Sequence, residues 1–452
     1  MRRAIPLMCL LLLLGCDEES PADAGPSGND AGGGGADAGG VDAGGVDAGG
    51  ADAGGADAGS ADAGPSGGDA GPVMDAAAGD AGSGDAGPFD AGMPIGTNQL
   101  DLLLMVDNSN SMTEEQMSLV AELPRLVRVL SSGDFDEDGS LTGPDDFTPF
   151  DLNVGVVTAD MGTGGFTVPT CIRSDFGDDG ILRTQGRTDI AGCMAVYPSF
   201  MSFRPGAGAD PAAFATDVAC VATVGTGGCG FEQQLEATLK ALSPAAATTW
   251  TAVGYVPPLF FRATSGHADR ANAGFVRDGS VLTIVPLTDE NDCSASDADL
   301  YNPSSATYGS TDLNLRCFVH GDAALHPIAR YVDGLLQLRT TPGRLVFAPI
   351  VGIPVDLAPT GGASPDYVAL IDPDPALRDD RMEERVDPAM TTRLVPSCDV
   401  VGRGLAFPPI RIVQVAQQLE MRGAAVTVQS ICQDSFRDAV TEIVRRTAGA
   451  AP

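Results

Sequence analysis

The chain changes composition abruptly near Asn98, and this change decides which part of it can fold. Residues 17–93 are almost entirely Ala, Gly, Asp, Ser and Pro, and residues 36–64 repeat a five-residue unit of the form Ala-Asp-Ala-Gly-Gly. Such a segment has almost no apolar surface to bury, so it cannot offset the entropy that is lost on ordering. We therefore predict a disordered tether over 16–97 and one folded domain over 98–450.

The start of the chain resembles the signal sequence of bacterial lipoproteins. Arg2 and Arg3 precede an apolar run over 7–14, which is too short to span a bilayer permanently. The run ends in Leu-Leu-Gly-Cys at Cys16, which is similar to the lipobox that bacterial lipoproteins present to their signal peptidase. The resemblance implies a signal peptide over 1–15 and acyl chains on Cys16 that anchor the protein firmly. The alternative is an ordinary secretory signal with a chance cysteine.

The charge of the chain restricts its partners. It has 61 acidic and 26 basic residues, a net charge of -35. This charge argues against nucleic acids and anionic lipid surfaces as partners. We therefore expect membrane contact only through the lipid anchor. The resemblance to lipoproteins implies a bacterial cell envelope, with the outer membrane or cell surface favoured over the inner membrane; the sequence does not decide which membrane and face hold the anchor.

The cysteines predict disulfides. Of the 10 cysteines, Cys9 leaves with the signal peptide and Cys16 is the lipid site. The others form an even-numbered set in an exported chain and have no CxxC spacing, which favours disulfides over a metal-thiolate site. Short loops lose least entropy on closure. This favours the pairs Cys171–Cys193, Cys220–Cys229, Cys293–Cys317 and Cys398–Cys432.

Beyond Asn98, apolar runs alternate with stretches of helical spacing. Runs typical of buried strands lie at 102–106, 154–158, 281–287, 344–353 and 425–430. Helical patterns lie at 113–130, 211–222, 231–242, 325–338, 409–422 and 436–446. The alternation predicts an α/β fold, with a doubly wound, mainly parallel sheet and helices on both faces. Two irregular stretches, near 161–208 and 356–405, are predicted to be loop insertions.

Two acidic motifs directly follow predicted strands. A D-x-S-x-S sequence, formed by Asp107, Ser109 and Ser111, follows the first strand, and Asp289 follows the strand predicted at 281–287. In an open parallel sheet, ligands bind beyond the carboxyl ends of the strands, where the strand order reverses. Carboxylates and hydroxyls are hard oxygen donors that suit Mg²⁺.

At these residues the sequence resembles the von Willebrand factor A family, over 98–446. That family has a metal-ion-dependent adhesion site built from D-x-S-x-S, a threonine from a second loop and an aspartate after the fourth strand. The resemblance implies that Asp107, Ser109, Ser111 and Asp289 hold Mg²⁺ or Mn²⁺, and that a partner's acidic side chain completes the coordination. The alternative is a helix-capping turn without metal. With or without a metal, Thr113 and Gln116 are predicted to form a capping box at the start of the first helix.

The family's threonine has no direct counterpart. The loop from position 225 reads Gly-Thr-Gly-Gly-Cys-Gly-Phe-Glu, and the expected threonine falls nearest Cys229. A disulfide-bonded cysteine is a poor magnesium ligand. Thr226 is therefore the candidate; if it does not reach the ion, water fills the position and binding is weaker or differently tuned.

A second metal-binding pattern follows the first predicted helix. Residues 134–145 match the calcium loop of the EF-hand, with Gly139 at the turn position. A shorter aspartate replaces the usual final glutamate, which predicts modest affinity, and Pro144 prevents a full EF-hand. The alternative is an acidic, solvated turn. The predicted Ca²⁺ ligands are Asp134, Asp136, Asp138, Ser140 (through its carbonyl), Thr142 and Asp145.

Taken together, these patterns predict an envelope protein that binds a protein or other ligand offering a carboxylate through Mg²⁺, and that is not an enzyme. The histidines have neither zinc-ligand spacing nor an evident catalytic partner, and the folded part has no nucleophile elbow or phosphate-binding loop. Glu290 and Asp292 are expected to lie behind the metal ligands or in solvent. One alternative is a scaffold whose metals only stabilise loops. The other is a metal-assisted hydrolase, which needs a general base that the sequence does not clearly supply.

The lipobox generates the first testable prediction. Cys16→Ser should abolish incorporation of labelled palmitate, because the acylated thiol is lost. Cys9→Ser is the matched control and should keep the label, since that cysteine leaves with the signal peptide. Labelling of the Cys16→Ser protein at the wild-type level would rule out the anchor.

Overall fold

The apolar runs of the sequence form the strands of one central sheet. The computed structural model describes residues 98–401 and 404–451. The predicted signal peptide, lipid site and tether lie outside these residues. The strands are β1 (Gln99–Val106), β2 (Asp151–Thr158), β3 (Phe200–Phe203), β4 (Val281–Leu287), β5 (Leu345–Phe347), β6 (Ile350–Val351), β7 (Cys398–Asp399), β8 (Leu405–Ala406), β9 (Ala425–Val426) and β10 (Gln429–Ser430).

The sheet is mixed and mostly parallel. Its order is β10-β6-β4-β1-β2-β3, with β5 beside β4 and β9 beside β5. Only β3, at one edge, runs antiparallel to its neighbour β2; β7 and β8 form a separate antiparallel pair. The predicted α/β class with a mainly parallel sheet is therefore confirmed.

Helices pack against both faces of this sheet. Successive side chains of β1 point in opposite directions: Leu102 and Leu104 join a core with α1, α2 and α9, and Leu103 and Met105 join a second core with α3, α6 and α8. The helices are α1 (Thr113–Ser132), α2 (Pro211–Ala222), α3 (Gln234–Leu242), α4 (Arg316–Val319), α5 (Gly321–Ala324), α6 (Ile328–Leu336), α7 (Tyr367–Ile371), α8 (Ile410–Met421) and α9 (Arg437–Gly449).

The two irregular stretches contain more structure than predicted. The segment 161–208 includes the edge strand β3, and 356–405 includes α7 and β7. The strand predicted at 344–353 divides into β5 and β6 around Pro349, which has no N–H to donate to a neighbouring strand. Among the described residues, no helix combines the length and the apolar character needed to cross a bilayer.

The predicted capping box at the start of α1 is wrong. No side chain caps this helix. The Gln116 side chain instead donates to the carbonyls of Asp107 (2.8 Å) and Gly225 (2.9 Å). Gln116 thus connects two loops rather than the ends of one turn.

Two of the four predicted disulfide pairs are wrong. Cys293–Cys317 and Cys398–Cys432 are confirmed, but the other four cysteines pair as Cys171–Cys229 and Cys193–Cys220. Closure entropy grows only logarithmically with loop length, by about 0.6 kcal/mol per doubling. Packing therefore decides the pairing: Cys193 and Cys220 meet at the core with α2, whereas Cys171 and Cys229 meet in a third cluster between loops.

Candidate metal centre

The parallel pairing of β1 with β4 brings the two predicted acidic motifs together. Val106 pairs with Leu287 at the carboxyl ends of these strands, so Asp107 and Thr288 follow side by side. The Asp107 amide donates to the Leu287 carbonyl at 2.9 Å, which extends the pairing by one residue. β1 lies between β2, which is the next strand along the chain, and β4. The strand order therefore reverses at β1, next to Asp107.

Asp107 is fully buried, and its carboxylate accepts hydrogen bonds from one amide and one hydroxyl group. Its Oδ1 accepts from the Ser109 amide at 2.8 Å, and its Oδ2 accepts from the Thr288 hydroxyl at 2.6 Å. The hydroxyls of Ser109 and Ser111 lie 3.2 Å apart. Burial raises the pKa of Asp107 above its ordinary value, against the effect of these hydrogen bonds.

Asp289 is the least satisfied group of the site. It is 1% exposed, and within the described part of the chain neither of its carboxylate oxygens has a hydrogen-bond partner. Burial, followed by the negative charge of Asp107, raises its pKa well above the ordinary value, and the nearby Ser111 hydroxyl offsets this only in part. A buried carboxylate without partners is strongly unfavourable, and a cation would supply what the protein does not.

The loop that should provide the threonine is fixed by backbone contacts. Gly225 exchanges hydrogen bonds with the Gln116 side chain, and the Gly228 amide donates to the Asn108 carbonyl at 2.8 Å. A Cβ at Gly228 would lie 2.2 Å from Asn108 Oδ1, so this close approach requires glycine. Among the described residues, no hydrogen bond joins Thr226 to either aspartate.

Glu232 is a site residue that the sequence reading missed. Cys229, at the expected threonine position, is occupied by its disulfide. Three residues later Glu232 is 8% exposed and lines the same cavity as Ser109 and Ser111. Burial, then the charges of Asp107, Glu290 and Asp289, raises its pKa well above the ordinary value. The signal in the sequence was an acidic residue at the start of the third predicted helix.

Two further glutamates add negative charge nearby. Glu290 lines the cavity, and burial followed by the charges of Asp289 and Asp107 raises its pKa well above the ordinary value. Glu115, in the first turn of α1, has a buried Oε2 without a partner. Burial is the main reason that the pKa of Glu115 rises to about 7.

Asp292 has a structural position instead. It is 1% exposed, and its Oδ1 accepts from the Leu235 amide at 3.0 Å and from the Ser294 hydroxyl at 2.6 Å. Its Oδ2 contacts Arg411 Nε at 3.2 Å. Asp292 therefore fixes the start of α3 and its charge is already compensated.

A cavity of about 330 Å³ lies next to the candidate site. Ser109, Ser111, Glu232 and Glu290 border it on one side. Its other walls mix apolar, amide and charged groups: Phe231, Leu313, Asn314, Phe318, Glu384, Arg393 and Phe407. A ligand group of modest size could therefore reach the site from solvent.

The predicted calcium loop brings its first three aspartates together. Carboxylate oxygens of Asp134, Asp136 and Asp138 lie within 4.8 Å of one another. Gly139 has φ +87°, as its turn position requires. The two oxygens of Asp134 accept from the amides of Asp138 (3.1 Å) and Gly139 (2.9 Å). The hydroxyls of Ser140 and Thr142 lie 3.1 Å apart.

The end of this loop differs from the prediction. Asp145 faces Arg445, at 3.5 Å, and is mostly exposed. Asp146 instead turns back into the loop, where it accepts from the amides of Phe135 (2.9 Å) and Gly143 (2.6 Å). A Cβ at Gly143 would lie 2.9 Å from Asp146 Oδ2 and 3.2 Å from Asp136 Oδ2, so these two carboxylates face the same glycine.

The histidines do not form a metal site with the other described residues. His267 Nε2 lies 3.0 Å from Asp179, and His320 Nε2 lies 2.8 Å from the Thr311 hydroxyl. His326 lies 3.8 Å from Glu236. The comparisons with known proteins add no assignment: no protein-family model, no curated protein and no solved structure matches this chain.

Glu115 yields a prediction about pH. Folding raises the pKa of the Glu115 carboxyl from 4.5 to about 7. The protonated carboxyl therefore favours the folded state, fully so below pH 4.5, and this contribution to the free energy of unfolding is lost as the pH rises through about 7. In chelator, wild type should therefore lose stability relative to Glu115→Gln over this range, by about 2 kcal/mol after solvent screening is allowed for. Thermal melts of both proteins at several pH values measure the difference. A difference that does not change with pH would contradict the prediction.

Proposed function

We propose that this protein is a lipid-anchored component of a bacterial envelope that binds a partner through a Mg²⁺-dependent site, with an acidic side chain of the partner completing the coordination. The observation that carries the proposal is the buried Asp289 carboxylate without a partner beside the buried Asp107. A divalent cation between them removes the cost of burying two negative charges. The hydroxyls of Ser109 and Ser111 add neutral oxygen donors of the kind that magnesium binds.

The topology supports the resemblance to the von Willebrand factor A fold. Both aspartates follow parallel neighbouring strands at the point of strand-order reversal, where open α/β sheets bind ligands. The antiparallel edge strand and the helices on both faces are compatible with a doubly wound sheet. A shared fold does not itself fix a function, so the proposal depends on the side chains of the site.

The proposed location has two parts, a non-cytoplasmic compartment and a lipid anchor. The four disulfides indicate an oxidising, non-cytoplasmic compartment. Anchoring through Cys16 at the outer membrane or cell surface is the finer proposal and depends on the lipobox. In that arrangement the Gly-rich segment would let the domain reach a partner at a distance of about 50 Å from the membrane.

Binding is favoured over a scaffold by the surroundings of the site. The metal-assisted hydrolase stays an alternative: it needs a general base that reaches a metal-bound water, and Glu232 and Glu290 border the cavity, whereas Glu115 does not. A scaffold whose metals only stabilise loops would not need a cavity at the metal site. A pull-down from envelope extract separates binding from scaffolding: partner capture should require Mg²⁺, and capture that persists in chelator would favour the scaffold.

The central prediction concerns the two aspartates. Asp107→Ala or Asp289→Ala should abolish Mg²⁺ binding in calorimetry, because each removes a carboxylate from the same ion. Ser109→Ala or Ser111→Ala should weaken it by about tenfold, and partner capture should decline in the same order. The fold should survive all four changes with a modest fall in Tm. Asp145→Ala, which changes an exposed aspartate outside this site, is the control for the loss of one negative charge. Unchanged Mg²⁺ affinity in both Asp107→Ala and Asp289→Ala would mean that the D-x-S-x-S motif is only a turn at the start of a helix.

We also propose that residues 134–146 bind Ca²⁺, with Asp146 in the closing position that the sequence reading gave to Asp145. The clustered carboxylates of Asp134, Asp136 and Asp138 repel one another in the absence of an ion. Glu137, which points away from them, pairs with Arg125 at 2.7 Å and with Arg128, so the loop is fixed to α1.

Calcium should therefore stabilise the fold by mass action, by about 2.7 kcal/mol when its concentration is a hundred times Kd. Asp136→Ala should remove most of the calcium-induced rise in Tm and leave Mg²⁺ binding at the other site nearly intact. Asp146→Ala should reduce the rise more than Asp145→Ala does. The proposal fails if wild type and Asp136→Ala respond equally to calcium.

A further inference from the structure

We infer that Glu232 takes the place of the family's threonine at the proposed Mg²⁺ site and binds the hydrated ion through one of its waters. This inference rests on the proposed function, because it assigns a further residue to the same ion. It is offered as an alternative to Thr226, which no hydrogen bond in the described structure connects with the aspartates.

The backbone at Glu232 is fixed on both sides. The disulfide Cys171–Cys229 and the packing of the Phe231 ring against Tyr301, with ring centroids 4.8 Å apart, hold the preceding residues. The Glu232 carbonyl accepts from the Cys293 amide at 2.9 Å. That contact connects the start of α3 directly with the loop that carries Asp289.

The Glu232 carboxylate is buried among other acidic groups. Glu232 is 8% exposed, and a backbone hydrogen bond at Glu232 offsets only in part the burial and the neighbouring negative charges that raise its pKa. It borders the cavity together with Ser109 and Ser111. Asp289, which is also buried and has two oxygens without partners, is the independent sign that a cation belongs here. The charges of Asp107, Glu290 and Asp289 reach Glu232 strongly enough to raise its pKa.

The spacing of the carboxylates indicates a water-mediated contact. Among the described residues, only the calcium-loop aspartates form an acidic trio whose oxygens all lie within 4.8 Å. Asp107, Asp289 and Glu232 are not such a trio, so at least one of the separations between their oxygens exceeds 4.8 Å, and the three cannot all bind one small ion directly. Magnesium loses its waters reluctantly and usually retains several, and a retained water can donate a hydrogen bond to Glu232.

This arrangement changes the charge of the loaded site. Two aspartates neutralise a divalent ion, and Glu232 then leaves one net negative charge. An external carboxylate is bound less readily than at a neutral site, so the partner should offer a carboxylate close to a cationic group. Glu290 and Glu384, which border the same cavity, provide the negative charge for that cation.

Mg²⁺ calorimetry on wild type, Glu232→Gln, Glu232→Thr and Glu384→Gln tests the inference. Glu232→Gln should lower Mg²⁺ affinity by about 10- to 100-fold, the range found when groups behind direct ligands are removed. Glu384→Gln removes an equal charge from the same cavity and should change affinity less than about threefold. Equal losses in these two variants would mean that Glu232 acts only as a distant charge and would overturn the inference.

Melting temperatures with and without Mg²⁺ show whether a loss of binding is due to misfolding. Without metal, Glu232→Gln should melt at a higher temperature than wild type, because it removes a buried carboxyl group that lies close to three other acidic groups, while its Mg²⁺-induced rise in Tm should shrink. A lower metal-free Tm would contradict this. If neither wild type nor Glu384→Gln binds Mg²⁺, the proposed function fails; if both bind and Glu232→Gln binds equally well, only the role of Glu232 fails.

The charge argument is tested with the Mg²⁺-loaded proteins and acetate as the external carboxylate. Acetate should bind Glu232→Thr more tightly than wild type, because the threonine hydroxyl replaces the carboxylate without its charge. Equal acetate affinity in the two proteins would refute the expected preference for a partner with a neighbouring cation.

Discussion

The parallel pairing of β1 with β4 is the constraint on which the candidate site depends. It places Asp107 and Thr288 side by side, and the hydroxyl of Thr288 then occupies one oxygen of Asp107. The next residue, Asp289, receives no such donor. The same strands form the centre of the two hydrophobic cores, whose burial stabilises the sheet. Hydrophobic burial thus stabilises a backbone that holds two carboxylates in an environment unfavourable to both.

The remaining loops are fixed to this pair by contacts that do not involve a metal. Gln116 joins the Asp107 loop to Gly225, and the Asn108 carbonyl receives the Gly228 amide. The disulfide Cys171–Cys229 fixes the chain just before Glu232. A site organised in this way is preformed, so an ion need not order the loops first and can use its binding energy for neutralisation.

Sequence reasoning located the strands and the acidic motifs because both depend on local patterns. Uninterrupted apolar runs gave β1 and β4, and the D-x-S-x-S motif follows β1 directly. It failed where residues distant in sequence decide the outcome. Cys171 pairs with Cys229 because two loops meet in space, and Gln116 reaches Gly225 rather than its own helix start. Glu232 resembles any acidic residue before a helix until the fold places it at the cavity.

One helix connects the two candidate ion sites. The D-x-S-x-S loop ends just before α1, and the proposed calcium loop begins just after it, so the sites are about 30 Å apart along a helix of this length. That distance is more than about three Debye lengths in physiological salt, so the charges of the exposed calcium loop are largely screened from the other site, and we expect each site to be loaded independently. Coupling between them would require α1 to move as a unit. The ion pairs from Glu137 to Arg125 and to Arg437 of α9 oppose such movement, which favours a calcium loop that stabilises the domain over one that switches the magnesium site.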